Sequence, residues 1–163
     1  MAEFASFPPV SAVFHAPGEG ENHSIGDSSL SLKATSDDTD GTFFCSESVI
    51  EPGFPGPPLH VHRRLHDMFY VLEGTLTLRL GDETVEAESG SFVCVPPGTP
   101  HTFSNPGARP VRMLNFNTPG GWEDYMRDLG AAFAEHGGPP PPEEIGRIAS
   151  RYDFEVVTPS DAG

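Results

Sequence analysis

The chain has 163 residues, which is enough for one domain with a substantial hydrophobic core. Its 24 acidic residues against 9 lysines and arginines give a formal net charge of -15, which argues against nucleic acids and anionic membrane surfaces as partners. The 18 glycines and 18 prolines predict many turns and short strands rather than long helices.

Residues 1–23 are rich in proline, glycine and glutamate. We expect an N-terminal arm that packs a few apolar side chains on the domain or on a partner subunit. The apolar candidates are Phe4, Phe7, Val10, Val13 and Phe14. The start of the chain lacks the basic residues and apolar core of a secretory signal, and no apolar run is long enough to span a membrane. A cytoplasmic location is therefore predicted.

Two cysteines, Cys45 and Cys94, each lie in an apolar run with strand character. In a chain without a secretory signal, this pattern favours two buried free thiols. The spacing alone does not exclude a disulfide, so that alternative stays open at this point.

Residues 24–118 are predicted to be all-β. Residues 29–34 alternate apolar and polar side chains, which indicates a half-buried strand, and the acidic Asp-Gly turn at 36–41 predicts a hairpin. The runs at 68–72 and 92–95 are wholly apolar, as expected for strands buried on both faces. Further strands are predicted at 42–50, 76–80, 84–88 and 111–116. Short strands separated by glycine and proline indicate a β-sandwich or β-barrel.

Residues 119–163 have helical character and are predicted to cover the β-domain. A first apolar stripe at helical spacing consists of Trp122, Tyr125, Met126, Leu129 and Phe133. A second, shorter stripe consists of Ile145, Ile148, Ala149 and Tyr152. Such stripes are typical of core packing, and here they also fit a lid over one opening of a barrel.

The histidines predict a metal site. His60 and His62 are two residues apart, so in an extended strand both imidazoles lie on one face. His66 and Asp67 follow closely, and antiparallel pairing of two strands could bring His101 beside the first pair. Imidazoles and a carboxylate together suit a divalent transition metal, and such a site keeps a position open for a substrate.

The sequence resembles the cupin superfamily in two motifs. The first motif is matched by Gly53, His60, His62, Asp67 and Gly74, and the second by Gly90, Pro96, Gly98, His101 and Asn105. This resemblance implies a single double-stranded β-helix, or jelly-roll, barrel with a C-terminal helical segment. It also implies one divalent metal ion, which in cupins is Fe, Ni, Mn, Zn or Cu.

The fourth ligand has two candidates. The acidic ligand of cupins is usually Glu, whereas this chain has Asp67 at that position, beside His66. Counting back six residues from Gly74 selects Asp67. His66 is the alternative, and it would give a site of four histidines that suits Zn or Ni.

Within the superfamily the chain looks like proteins called quercetin dioxygenase-like. This implies a metal-dependent oxygenase for a small enolic, flavonol-like or diketone substrate, with Asp67 as ligand and proton acceptor. Apolar side chains that could line the pocket are Phe69, Val71, Leu76, Leu78, Phe92, Phe103, Met113 and Phe116. The same side chains could instead simply fill the barrel.

Two other functions fit the same residues. One is a non-redox zinc cupin, such as an isomerase or an aromatic polyketide cyclase, in which His66 or Asp67 moves a proton. The other is a cupin that binds a metal or small molecule without turnover. The resemblance further suggests a homodimer.

Overall fold

The computed structural model describes residues 11–158, which form two antiparallel β-sheets with helices against one end. The first sheet has the order β1-β2-β3-β10-β5-β8, with the strands Glu21–Ile25 (β1), Ser28–Ala34 (β2), Phe44–Ile50 (β3), Val111–Thr118 (β10), His66–Glu73 (β5) and Phe92–Val95 (β8). The second has the order β11-β4-β9-β6-β7, with the strands Glu155–Val156 (β11), His60–Val61 (β4), His101–Ser104 (β9), Thr75–Leu80 (β6) and Glu83–Glu88 (β7). This architecture is a jelly-roll barrel, as predicted.

The barrel interior is filled where the two sheets face each other. One apolar cluster joins side chains of both sheets, namely Ile50, Phe69, Val71, Leu76, Leu78, Ala87, Val95, Val111 and Met113. Along β5 and β10 the buried positions alternate with less buried ones, because successive side chains point to opposite faces of a strand. Each of these strands therefore contributes one face to the core.

Two strands predicted to be buried on both faces have only one buried face. Tyr70 on β5 is 40% exposed, and its register partner Phe92 on β8 is 60% exposed. The apolar runs misled because the outer face of this sheet also carries apolar side chains. Cys94 lies on that face and is an exposed free thiol, whereas Cys45 is a buried free thiol as predicted.

The predicted turn at 36–41 contains a single helical turn, Ser36–Thr39 (α1). Thr35 caps it, and the carboxylate of Asp38 accepts the Thr35 backbone N–H at 2.9 Å. The flanking strands β2 and β3 pair antiparallel, which confirms the predicted hairpin with a longer connection than a tight turn.

The N-terminal segment enters the first sheet earlier than predicted, since β1 begins at Glu21. Val13 and Phe14 are 44% and 87% exposed, so these two side chains do not pack on the domain. Phe4, Phe7 and Val10 lie outside the described residues.

Two further helices, Trp122–His136 (α2) and Pro142–Ala149 (α3), match the two predicted stripes. Their apolar faces pack on the first sheet in a second cluster of Leu30, Leu32, Phe44, Leu65, Trp122, Tyr125, Ala132, Ile148 and Ala149. Within residues 11–158, no helix has the length and apolar character required to cross a membrane.

Candidate metal centre

Four side chains meet inside the barrel between the two apolar clusters. His60, His62, Asp67 and His101 each offer one ligand atom, and these atoms lie within 4.8 Å of one another. All four residues are buried, with exposed fractions between 1% and 6%. His60 and His101 are register partners on β4 and β9 of one sheet, whereas Asp67 lies near the start of β5 in the other sheet.

A backbone contact joins the two halves of the site. The N–H of Gly98, in the turn before β9, donates to the carbonyl of His62 at 2.7 Å. Gly98 has a φ of 83°, in the left-handed region that glycine adopts without strain. The turn thus holds the strand that carries His101 against the loop that carries His62.

His66 lies outside this cluster. It is exposed, and its side chain points to the face of β5 opposite to Asp67, because the two residues are neighbours in a strand. The structure thus brings Asp67, and not His66, together with the three clustered histidines.

The three imidazoles are held in a common tautomer. The Nδ1 of His60 lies 2.8 Å from the carbonyl oxygen of Pro58, and the Nδ1 of His101 lies 2.9 Å from that of Thr99. The Nδ1 of His62 contacts the carbonyl oxygen of Asp153. Because a carbonyl oxygen can only accept, each Nδ1 carries the proton and each Nε2 offers a lone pair to the site.

Asp67 uses its two carboxylate oxygens differently. Oδ2 lies 3.0 Å from the Nε2 of His101 and 3.6 Å from the Nε2 of His62. Oδ1 accepts from the side-chain amides of Asn115, at 2.7 Å, and Asn117, at 2.9 Å. Only Oδ2 therefore faces the imidazoles.

Burial and charge shift the protonation of the site. Burial lowers the pKa of His60 to about 3, so this ring is neutral at physiological pH. Burial acts against ionisation of Asp67, but hydrogen bonds with His101 and His62 hold the pKa of this carboxyl well below its ordinary value. For His62, burial lowers the pKa, but the contacts with Asp67 and Asp153 together outweigh burial, so the net shift is upward.

This donor set fits a divalent cation. A neutral His101 ring with its proton on Nδ1 presents a lone pair to Asp67 Oδ2 at 3.0 Å. Two acceptors this close need a positive charge between them, either a proton or a metal ion. Three neutral imidazoles and one carboxylate are a ligand set for Zn, Fe, Ni, Mn or Cu rather than for Ca or Mg.

The C-terminal segment covers the site. Phe154 stacks on His60 with ring centroids 4.2 Å apart, and Trp122 meets His62 edge-on at 5.0 Å. The carboxylate of Asp153 accepts three consecutive backbone N–H groups, those of residues 63, 64 and 65, at 2.6–2.9 Å. Asp153 thus ties down the loop that follows His62.

Comparison with known proteins identifies the family. A model of the cupin domain matches residues 46–117, which contain all four clustered residues. The chain is also 31% identical over 148 residues to quercetin 2,3-dioxygenase of Bacillus subtilis, a match that covers 88% of this chain. The protein belongs to the cupin superfamily. The match covers 42% of the length of that dioxygenase.

Solved cupin structures share the fold. The polyketide cyclase RemF of Streptomyces resistomycificus superposes with a TM-score of 0.58 at 23% identity, over 66% of this chain and 80% of that one. KdgF of Halomonas sp. superposes with a TM-score of 0.59 at 14% identity, over 68% of this chain and 98% of that one. At these identities the likeness concerns the fold alone.

In this cupin most of the predicted pocket residues are inside the barrel. Five of them are buried together, namely Phe69, Val71, Leu76, Leu78 and Met113, and Phe103 packs partly buried against them. Phe92 is 60% exposed and does not line the barrel. Phe116 points to the outer face of β10, because it alternates with the buried residues Asn115 and Asn117. The structure thus places Phe92 and Phe116 away from the other predicted pocket residues.

Four residues that contact the site were missed in the sequence. Asn115 and Asn117 carried a usable signal, since two amides replace apolar side chains at inward positions of an alternating strand. Asp153 and Phe154 carried none, because they reach the site from a turn about ninety residues after His62.

Proposed function

We propose that this cupin is a metal-dependent oxygenase that acts on a small enolic, flavonol-like or diketone molecule. The observation that carries the proposal is the buried cluster of three imidazoles and one carboxylate in a single barrel. The 31% identity with a quercetin 2,3-dioxygenase supports the oxidative chemistry.

The metal would be held by His60, His62 and His101 through Nε2 and by Asp67 through Oδ2. These are the atoms left facing one another once each Nδ1 and the Asp67 Oδ1 have taken their other hydrogen bonds. When bound, a divalent Fe, Ni, Mn, Zn or Cu ion would supply Lewis acidity, and a redox-active one would also supply an electron path to oxygen.

The protein itself would orient the substrate and handle its proton. Both amides donate to Asp67 Oδ1, so Oδ2 is the atom that could accept an enolic proton when it is released from the metal. The apolar cluster that contains Phe69, Leu78 and Met113 would exclude water from the reaction.

Substrate would enter after the side chains that cover the site, Phe154 and Trp122, move away from it. Phe154 and Trp122 contact the rings of His60 and His62, which are 3% and 2% exposed. Little of either ring can therefore be reached from solvent in this arrangement. The cover would therefore turn away from His60 to admit the substrate.

Oxygen consumption tests the proposal. Protein stripped of metal and reloaded separately with Fe, Ni, Mn, Cu or Zn would be incubated with quercetin and with simple diketones in an oxygen electrode. We expect uptake with at least one redox-active metal, lost in His101→Ala and retained in His136→Ala, which removes an exposed histidine paired with Glu144. Absence of uptake with every metal and substrate would contradict an oxygenase. Zinc-dependent turnover that persists without oxygen would point to a non-redox isomerase or cyclase.

A further inference from the structure

Two asparagines on one strand converge on the same carboxylate oxygen. Asn115 and Asn117 are two residues apart on β10, so both side chains point into the barrel. Their amide nitrogens lie 2.7 Å and 2.9 Å from Asp67 Oδ1. Asn115 is 9% exposed and Asn117 is 0% exposed, so both contacts are shielded from water.

We propose that Asn115 and Asn117 are positioning residues that clamp Asp67, so that it offers Oδ2 alone to the metal. The inference rests on the proposed metal site. With two amide donors on Oδ1, the carboxylate plane is set and a two-oxygen binding mode would cost both hydrogen bonds. Oδ2 is left at 3.0 Å from the Nε2 of His101.

The orientation of the Asn117 amide supports this role. Its Oδ1 has no hydrogen-bond partner within residues 11–158, although it is buried. Turning the amide around would set that oxygen against Asp67 Oδ1, which is also an acceptor. The Asn117 amide therefore donates to Asp67 while its own buried oxygen has no hydrogen bond among the described residues. An amide that served only to fill space would gain nothing from this orientation.

The clamp is built on rigid elements. Asn117 is the direct register partner of Asp67 across β10 and β5, and Asn115 also donates to the carbonyl of Met68 at 3.0 Å. Strand β10 is paired on both sides, with β3 and with β5. A ligand held by two amides on a central strand keeps its geometry before the metal arrives.

A third buried asparagine provides a matched control. Asn105 is 1% exposed and donates to the carbonyls of Ile50 and Arg109 at 2.9 Å and 2.8 Å. None of its hydrogen bonds reaches the four clustered residues. Asn105→Ala should therefore lower stability and leave the metal site as it is.

Cobalt binding tests the clamp without any turnover. The affinity for Co(II) would be measured by competition with a chromogenic chelator, together with the visible absorption spectrum of the bound ion. We expect Asn115→Ala and Asn117→Ala each to weaken binding by roughly 10–100-fold. Both variants should also shift the cobalt spectrum, because the carboxylate would rotate or detach, whereas Asn105→Ala should change neither quantity.

Unchanged affinity and spectrum in both alanine variants would overturn the clamp. If circular dichroism shows that they do not fold, Asn117→Leu decides, since leucine has a similar volume but cannot donate to Asp67, and weaker binding than wild type is expected. Binding by Asn117→Leu as tight as wild type, with the same spectrum, would again overturn the clamp. Failure of wild-type protein to bind cobalt would refute the metal site itself, and absence of oxygenase activity would affect neither result.

Discussion

Phe154 stacks on the imidazole of His60, with ring centroids 4.2 Å apart and ring planes within 15° of parallel. The contact joins the C-terminal segment to a residue of the metal cluster that is far away in sequence. The short strand β11, Glu155–Val156, extends this segment along β4, which carries His60. The C-terminal segment is thus a wall of the site.

Removing the Phe154 ring should open the site. We expect Phe154→Ala to speed the loss of bound metal to a chelator such as EDTA, because the ring shields His60. Loss of this half-buried ring should also lower the unfolding free energy by about 1–3 kcal/mol, which is less than the loss of a fully buried phenylalanine ring would cost. Stopped-flow chelation measures the first effect and urea unfolding the second.

Phe14→Ala is the control, since Phe14 is 87% exposed. It should match wild type in both experiments. Metal loss from Phe154→Ala at the wild-type rate would mean that metal leaves by another route.

The Asp153 carboxylate should stabilise the loop after His62. In Asp153→Ala, three backbone N–H groups lose an ionised acceptor, and we expect a loss of about 1–3 kcal/mol in the unfolding free energy of the metal-free protein. Urea unfolding at neutral pH measures it. Asp82→Ala, in the exposed turn between β6 and β7, should have little effect, and an equal loss in both variants would contradict the role of Asp153.

The stability of the metal-free protein should fall in mild acid, in part through His60. The pKa of His60 is about 3 in the folded protein and 6.5 ordinarily. Between these pH values the imidazole is protonated in the unfolded chain but still neutral in the folded protein. The unfolding free energy therefore decreases as pH falls through this window, by at most about 1.4 kcal/mol per unit from this residue.

Unfolding in urea from pH 7 to pH 4, in the presence of EDTA, measures this slope. His60→Gln removes the titrating group and should show a shallower decrease than wild type. Parallel slopes in the two proteins would mean that His60 is not kept neutral by burial.

The two thiols should differ in reactivity. Burial raises the pKa of Cys45 to about 11, whereas Cys94 is exposed on the outer face of β8. Iodoacetamide at pH 8 should therefore label one thiol in the folded protein and two after denaturation, as read by mass spectrometry. Cys94→Ser should abolish labelling of the folded protein, and labelling of Cys45 there would contradict its burial.

The sequence predicted best what depends on local spacing. His60 and His62 share a face because strand geometry requires it, and the turn before His101 is recognisable from its proline and glycine residues. The helical stripes followed from periodicity in the same way, whereas the jelly-roll barrel was implied by the resemblance to cupins. Motif spacing favoured Asp67 but did not exclude His66, since the face on which each side chain lies depends on the residue at which β5 begins.

Contacts between segments that are distant in sequence could not be predicted from local spacing. The apolar outer position of Phe92 looks like a core position in the sequence, because hydrophobicity does not show which face of a sheet is covered. Asp153 and Phe154 lie in a turn whose composition gives no hint of a metal site. Only the fold brings them to His62 and His60.

Metal content tests the buried centre most directly. Wild-type protein, His66→Ala, Asp67→Ala and His101→Ala would be reconstituted, desalted and measured by elemental mass spectrometry. We expect one divalent ion per chain in wild type and in His66→Ala, and little or none in Asp67→Ala and His101→Ala. Loss of metal in His66→Ala with retention in Asp67→Ala would contradict the centre of three histidines and one aspartate.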